Sequence, residues 1–143
     1  MLYKKRIERF VSREGRRPRI LVSNLGQKSQ DHDTKLLAAF FAESGLDVDI
    51  SPLHQTARGT AKMANENDVH AICFLSTENR HKIMITDLAR ELKTEGVENV
   101  KIVIGGAIPR SDHNFLYGAG VDLILNSVPA DRTEINKLLD LFE

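Results

Sequence analysis

From residue 19 onward the chain alternates between compact apolar runs and stretches in which apolar residues recur at helical spacing. Residues 19–23 (RILVS), 71–75 (AICFL) and 101–104 (KIVI) read as strands. So does 47–50 (DVDI), where Val48 and Ile50 alternate with aspartates, and a shorter strand falls at 123–125. The 71–75 run does not alternate, which predicts burial on both faces. Between the strands lie helices. Residues 34–44 carry Leu36, Leu37, Phe40 and Phe41, with Thr34 as cap and Gly45 as stop. Residues 56–65 present Ala57, Ala61 and Ala64, and 82–95 present Ile83, Ile85, Leu88 and Leu92 before Gly96. A short helix is expected at 112–117, and a last one at 131–142 with Ile135, Leu138, Leu139 and Phe142 facing inward. This alternation predicts a parallel sheet with helices on both faces. Right-handed crossovers and five strands favour a flavodoxin-like (Rossmann-like) α/β fold of strand order 2-1-3-4-5.

In such a sheet a ligand sits outside the carboxyl ends of the strands. The loops to search are therefore 24–33, 51–55, 76–81, 105–111 and 126–130. They contain no phosphate-cradling GxxxxGK[ST] and no GxGxxG after the first strand. The third strand ends in Leu75 and Ser76 rather than an aspartate, which argues against a phospho-accepting receiver. His32, His54, His81 and His113 fall on these loops, but none forms an i, i+4 pair, and scattered loop histidines are commonly solvated. Cys73 lies inside the apolar strand and reads as a small core residue. Gly105-Gly106 closes the fourth strand, where paired glycines serve a tight turn or let a ligand approach the backbone.

Composition adds bounds. The 143 residues are 41% hydrophobic and 28% charged, which suits one packed domain. The single cysteine excludes an internal disulfide, and neither a secretory signal nor a membrane span is expected. A cytoplasmic protein is the expectation. The net charge is zero, but residues 1–17 hold seven basic and two acidic side chains, so this segment is +5 and the remainder −5. Tyr3, Ile7, Phe10 and Val11 fall at helical spacing, and Gly15 and Pro18 end the segment. It reads as a basic amphipathic arm ahead of a domain at 18–143. Its stripe fits packing on its own domain or docking on a partner protein. No aromatic ladder or motif supports nucleic acid, and a membrane partner is not expected.

Several segments together resemble the cobalamin-binding domain of methylmalonyl-CoA mutase. They are 16–22 (RRPRILV), 45–50 (GLDVDI), Pro52-Leu53 with Gln55-Thr56, 66–70 (ENDVH), His81-Lys82, 104–109 (IGGAIP), and Phe115-Leu116 with 119–121. The resemblance runs almost without gap from about residue 14. It implies the fold derived above, and a domain that binds adenosylcobalamin against a catalytic barrel where acyl-CoA is isomerised.

The family's signature after the first strand is Asp-x-His-x-x-Gly, whose histidine is the lower cobalt ligand and whose aspartate orients it. Gly26-Gln27 and Lys35 fix the alignment, which puts Lys28, Gln30 and Asp33 at the three signature positions. Gln30 has no imidazole, and Lys28 cannot accept a hydrogen bond from one. His32 lies two residues late and is an unlikely substitute. The family's Ser-x-Leu aligns with Leu75, Ser76 and Thr77, and its Gly-Pro-Gly with Asn126, Ser127 and Val128; only Gly105-Gly106 stands as in the family. The resemblance thus implies a weakened site at Lys28, Gln30, Asp33, Leu75, Ser76, Thr77, Gly105, Gly106, Asn126 and Ser127, with no catalytic residue and no metal ligand. The expectation is a non-catalytic accessory or interaction module with no cofactor. The alternative is the cobalamin-carrying small subunit of a two-chain adenosylcobalamin-dependent acyl-CoA mutase. Either would engage a protein partner, a mutase catalytic chain or a second copy.

Overall fold

The computed structural model describes residues 2–27, 32–76, 80–126 and 131–143. Helix α1 (Leu2–Glu14) leads into β1 (Arg19–Val22), α2 (His32–Glu43), β2 (Asp47–Ile50), α3 (Ala57–Glu66), β3 (Ala71–Leu75) and α4 (His81–Glu95). Strand β4 (Lys101–Gly105), a 3-10 turn (Arg110–Asp112), α5 (His113–Ala119), β5 (Leu123–Ile124) and α6 (Arg132–Asp140) complete the chain. All strands are parallel, in the order β2-β1-β3-β4-β5. That is the flavodoxin-like order expected from the sequence.

Helix ends depart by a residue or two from the pattern reading. Helix α2 starts at His32, not Thr34. Asp33 occupies its first turn, where the helix dipole favours a carboxylate, and Thr34 is buried inside that turn. The short helix near 112 starts as the 3-10 turn and continues to Ala119. Gly96 ends α4 in the left-handed conformation with φ 76°, as a C-terminal glycine does.

The sheet divides the core. On one face Ile20, Val22, Cys73 and Val103 meet Leu37, Phe41, Leu138 and Leu139 from α2 and α6. On the other, Leu21, Ile72, Phe74 and Ile104 meet Ala61, Ile85, Leu88 and Leu116 from α3, α4 and α5. Cys73 belongs to this core, and burial pushes its thiol well above the ordinary range, with the charge of Glu134 adding to it.

Helix α1 turns its apolar stripe onto the first of these faces. Ile7 and Phe10 are buried, with Tyr3 and Val11 packed beside Ile7 against this cluster. The Phe10 ring meets Phe142 and His70 edge-on, at centroid distances of 5.9 and 5.0 Å. Arg6 reaches across to the last helix. It donates to the Asn136 carbonyl at 3.0 Å and to the carboxylates of Asp140 and Glu143, each at 2.6 Å. On β1, Arg19 forms a two-pronged pair with Asp49 of β2 at 2.7 and 2.8 Å.

Two outcomes follow from this packing. Phe10→Ala should lower unfolding stability by about 3 kcal/mol, read as the shift in urea midpoint at unchanged slope. The hydrogen bonds from Arg19 hold the Asp49 carboxyl below its ordinary value, against the opposing effect of burial. Its contribution is therefore present above the unfolded carboxylate value of about 4 and is lost as pH falls through the lower folded value. Asp49→Asn should destabilise by on the order of 1 kcal/mol at pH 7, since the guanidinium is partly exposed. The gap from the wild type should close in unfolding curves as pH falls below about 4.

Candidate functional site

For β1, β2, β3 and β5 the ladder carries its backbone pairing one residue past the carboxyl end, which fixes where those site loops begin. Ser51 N–H donates to Val22 O, Ser23 to Cys73, Ser76 to Gly105 and Leu125 to Ile104, at 2.8 to 3.1 Å. The loop after β1 is pinned to the loop after β2: Gly26 N–H donates to Gln55 O at 3.2 Å and His54 N–H to Gln27 O at 2.7 Å. Asn24 Nδ2 donates to the Ser51 carbonyl at 2.6 Å, and Ser51 Oγ accepts from Asn24 N–H at 2.7 Å. Thr60 gives its only hydroxyl proton to Thr56 O, so Ser23 donates to Thr60 Oγ1 at 2.8 Å. This end of the sheet is a rigid, hydrogen-bonded floor.

The double glycine supplies its flattest part. Gly106 has φ 101°, and a Cβ there would stand 3.3 Å from both Ser76 N and Ser76 O. A Cβ on buried Gly105 would come within 2.9 Å of Leu75 Cδ2. The two loops that follow β3 and β4 therefore touch through backbone, as the glycine pair at this position suggested. Beside them a hollow of about 170 Å³ is lined by Gly106, Arg110, His113, Leu125 and Asn126 among others. A second hollow, of about 300 Å³, opens between the ends of β1 and β2 and the start of α2, where Asn24, Lys35, Ile50 and Leu53 line it.

His81 brings together three residues that sequence reasoning leaves apart. It opens α4 and is 2% exposed. Its Nε2 lies 2.7 Å from Asp112 Oδ2, and its Nδ1 lies 3.1 Å from Ser76 Oγ. Hydrogen bonding from His81 holds the Asp112 carboxyl below its usual range, with Lys82 Nζ at 3.2 Å from the other oxygen reinforcing it. In the sequence alone, His81 is one loop histidine among four. The adjacency of β3 and β4 in the expected strand order is the signal that could join it to Asp112, because their carboxyl-end loops must lie side by side.

The remaining sequence-derived positions sort as follows. Leu75 ends β3 in the core, Ser76 is half-buried, Gly105 is buried, and Gly106 and Asn126 are exposed at the carboxyl edge. These five lie at one end of the sheet. Asp33 and His32 are exposed at the start of α2. Lys28, Gln30, Thr77 and Ser127 lie outside the described residues. Among the described residues no three His, Cys, Asp or Glu side chains gather as a metal site, and no helix is long and apolar enough to cross a membrane. Two buried polar atoms, Gln27 Nε2 and Thr34 Oγ1, find no hydrogen-bond partner among the described residues. They flank residues 28–31.

A five-stranded parallel sheet of order β2-β1-β3-β4-β5 with helices on both faces defines a flavodoxin-like α/β domain. The profile of the B12 binding domain matches residues 18–127, from the approach to β1 through the end of β5. The chain belongs to the B12-binding domain family. It is 44% identical over 117 residues to the mitochondrial methylmalonyl-CoA mutase of Mus musculus, covering 82% of this chain and 16% of that protein. It is 38% identical over 135 residues to methylmalonyl-CoA mutase of Cereibacter sphaeroides, covering 94% of this chain and 19% of that one. The chain thus spans less than a fifth of the length of these relatives. A solved cobalamin-binding protein from Desulfitobacterium hafniense superposes with a TM-score of 0.73 over 87% of this chain and 59% of its own, at 14% identity. That likeness shows the fold.

The family match corrects one expectation. Changed residues at Lys28, Gln30 and Asp33 had implied that no cofactor is bound. The match to a B12-binding profile across every carboxyl-end loop from β1 to β4 points to cobalamin instead. The physical reason is that one changed side chain alters a single contact, whereas the end of the sheet that the family match covers is built largely of backbone and glycine. The Gly105-Gly106 floor also gives a test. Gly106→Ala should lower stability by about 1–2 kcal/mol in urea unfolding, because it strains a left-handed position and crowds the Ser76 backbone.

Proposed function

We propose that this chain is the cobalamin-carrying part of an adenosylcobalamin-dependent acyl-CoA mutase and works with a catalytic chain or domain that holds the acyl-CoA. The observation that supports it best is the B12-binding match over 18–127 on a parallel sheet whose carboxyl edge bears hollows of about 170 and 300 Å³. Identity to methylmalonyl-CoA mutases over that same region supports the reaction lineage.

The residues that would hold the group are Ser76, Gly105, Gly106 and Asn126 on the β3, β4 and β5 side. Gln27 and Thr34 would supply their unmatched polar atoms on the β1 side. Lys28, Gln30, Asp33, Leu75, Thr77 and Ser127 complete the set by resemblance. Bound adenosylcobalamin would supply the radical that a carbon-skeleton rearrangement requires. This chain would bind and orient it. Gln30 offers an amide where an imidazole would ligate cobalt, and an amide is a poor cobalt ligand. Retention would then rest on the crevice walls.

A serine-hydrolase reading of Ser76, His81 and Asp112 is disfavoured by two observations. The histidine is 2% exposed, and the Ser76 N–H that an oxyanion would need already donates to Gly105 O at 2.9 Å.

Gel filtration of the chain with hydroxocobalamin should leave the corrin absorbance on the protein peak. The Lys28→Asp, Gln30→His, Asp33→Gly triple variant should bind more tightly and add the visible-spectrum change of imidazole ligation. A wild-type peak free of corrin would sink the assignment.

A further inference from the structure

His81 sits between two ligand-side loops and makes one hydrogen bond to each. The stronger runs to Asp112, whose carboxylate also takes Lys82 Nζ at 3.2 Å. A carboxylate only accepts, so Nε2 carries the proton. In the neutral ring Nδ1 is then an acceptor, and the Ser76 hydroxyl donates its single proton to it across 3.1 Å. The Ser76 oxygen is left with lone pairs alone. The Ser76 N–H is also engaged, by Gly105 O at 2.9 Å, and its backbone rests against Gly106. With the ring neutral, both donors of Ser76 are therefore spoken for before any occupant enters the crevice.

We propose that His81 is a positioning residue that fixes Ser76 Oγ as a hydrogen-bond acceptor on the crevice floor, so that the ligand group read at this point is an N–H donor, for cobalamin a peripheral carboxamide. This rests on the cobalamin reading above. Asp112 sets the tautomer, and Lys82 holds Asp112 in place. The arrangement spans the ends of β3 and β4, with Ser76 on one loop and Asp112 in the 3-10 turn of the other.

The two halves of the device can be separated. His81→Asn places a carbonyl near the Nδ1 position and keeps an acceptor for the Ser76 hydroxyl, but loses Asp112. His81→Gln places an amide N–H near the Nε2 position and keeps Asp112, but releases Ser76. Ser76→Ala removes the acceptor itself. Equilibrium dialysis against hydroxocobalamin, paired with urea unfolding of each variant, reads affinity and stability independently. The expected result is a split. The His81→Gln and Ser76→Ala variants bind about three- to tenfold more weakly with little loss of stability, the range one neutral hydrogen bond covers. The His81→Asn variant is the least stable of the three and keeps near wild-type affinity. Wild-type affinity in His81→Gln and Ser76→Ala, or affinity that merely tracks stability across the set, overturns the positioning role and leaves the cobalamin reading standing. A wild-type chain that binds no corrin overturns both.

Discussion

Strand β3 is buried along its whole length, and much of the molecule follows from that constraint. Ala71, Ile72, Cys73, Phe74 and Leu75 are each 5% exposed or less. Water cannot reach their backbone, so hydrogen bonds to β1 on one side and β4 on the other must satisfy it. Alternate side chains point into opposite clusters, Cys73 with Leu37 and Leu138, Phe74 with Ile85 and Leu116. Both faces therefore need helices, and parallel neighbours need crossovers to place them. Once each crossover is a helix, every loop leaving a strand's carboxyl end collects at one edge. The site's location is a consequence of keeping β3 dry.

That chain of reasoning is also why the architecture is legible in the sequence. AICFL without alternation, RILV and KIVI beside it, and helices of 10 to 15 residues between them leave few topologies open. Patterns of period two and 3.6 report burial, and burial is what orders the sheet. Ser76, His81 and Asp112 carry no such pattern. They are spread over 37 positions, and only the side-by-side placement of β3 and β4 makes them neighbours. The stripe of α1 is legible as amphipathic. Its partner on α6 is not, because helix-on-helix packing is settled by tertiary contacts such as Arg6 with Asp140 and Glu143.

The cofactor misleads a sequence reading for a related reason. A lower-ligand signature is a compact sequence signal, so its loss at Gln30 looks decisive. A crevice floor is diffuse: ladder bonds continued past the strand ends, glycines without side chains, and loops tied to one another by backbone carbonyls. Side-chain substitution leaves most of that intact. Residue-level comparison thus registers the lost imidazole, whereas the family as a whole registers the retained floor. On the proposed function the two are different parts of one site, and a corrin would offer far more surface to the floor than to a single metal ligand.

Helix α1 bears on the same edge from a distance. Its Arg6 and Arg13 grip the far end of the chain: Arg6 takes Asn136, Asp140 and Glu143, and Arg13 donates to the Phe142 carbonyl at 2.9 Å. Helix α6, clamped there, runs back to Asp131, whose side chain accepts from Glu134 N–H at 3.1 Å and caps the helix. Buried Glu134 and Ile135 then stand in the first turn, next in the chain to the loop that follows β5. The basic segment that gives the sequence its uneven charge is thus tied to the last helix and the residues after it, while the His81 bridge joins the β3 and β4 side. The remaining side, from β1 to β2, is closed by Asn24 on Ser51 and His54 on Gln27, contacts made largely by backbone. Separate ties therefore hold different parts of the edge of a single sheet.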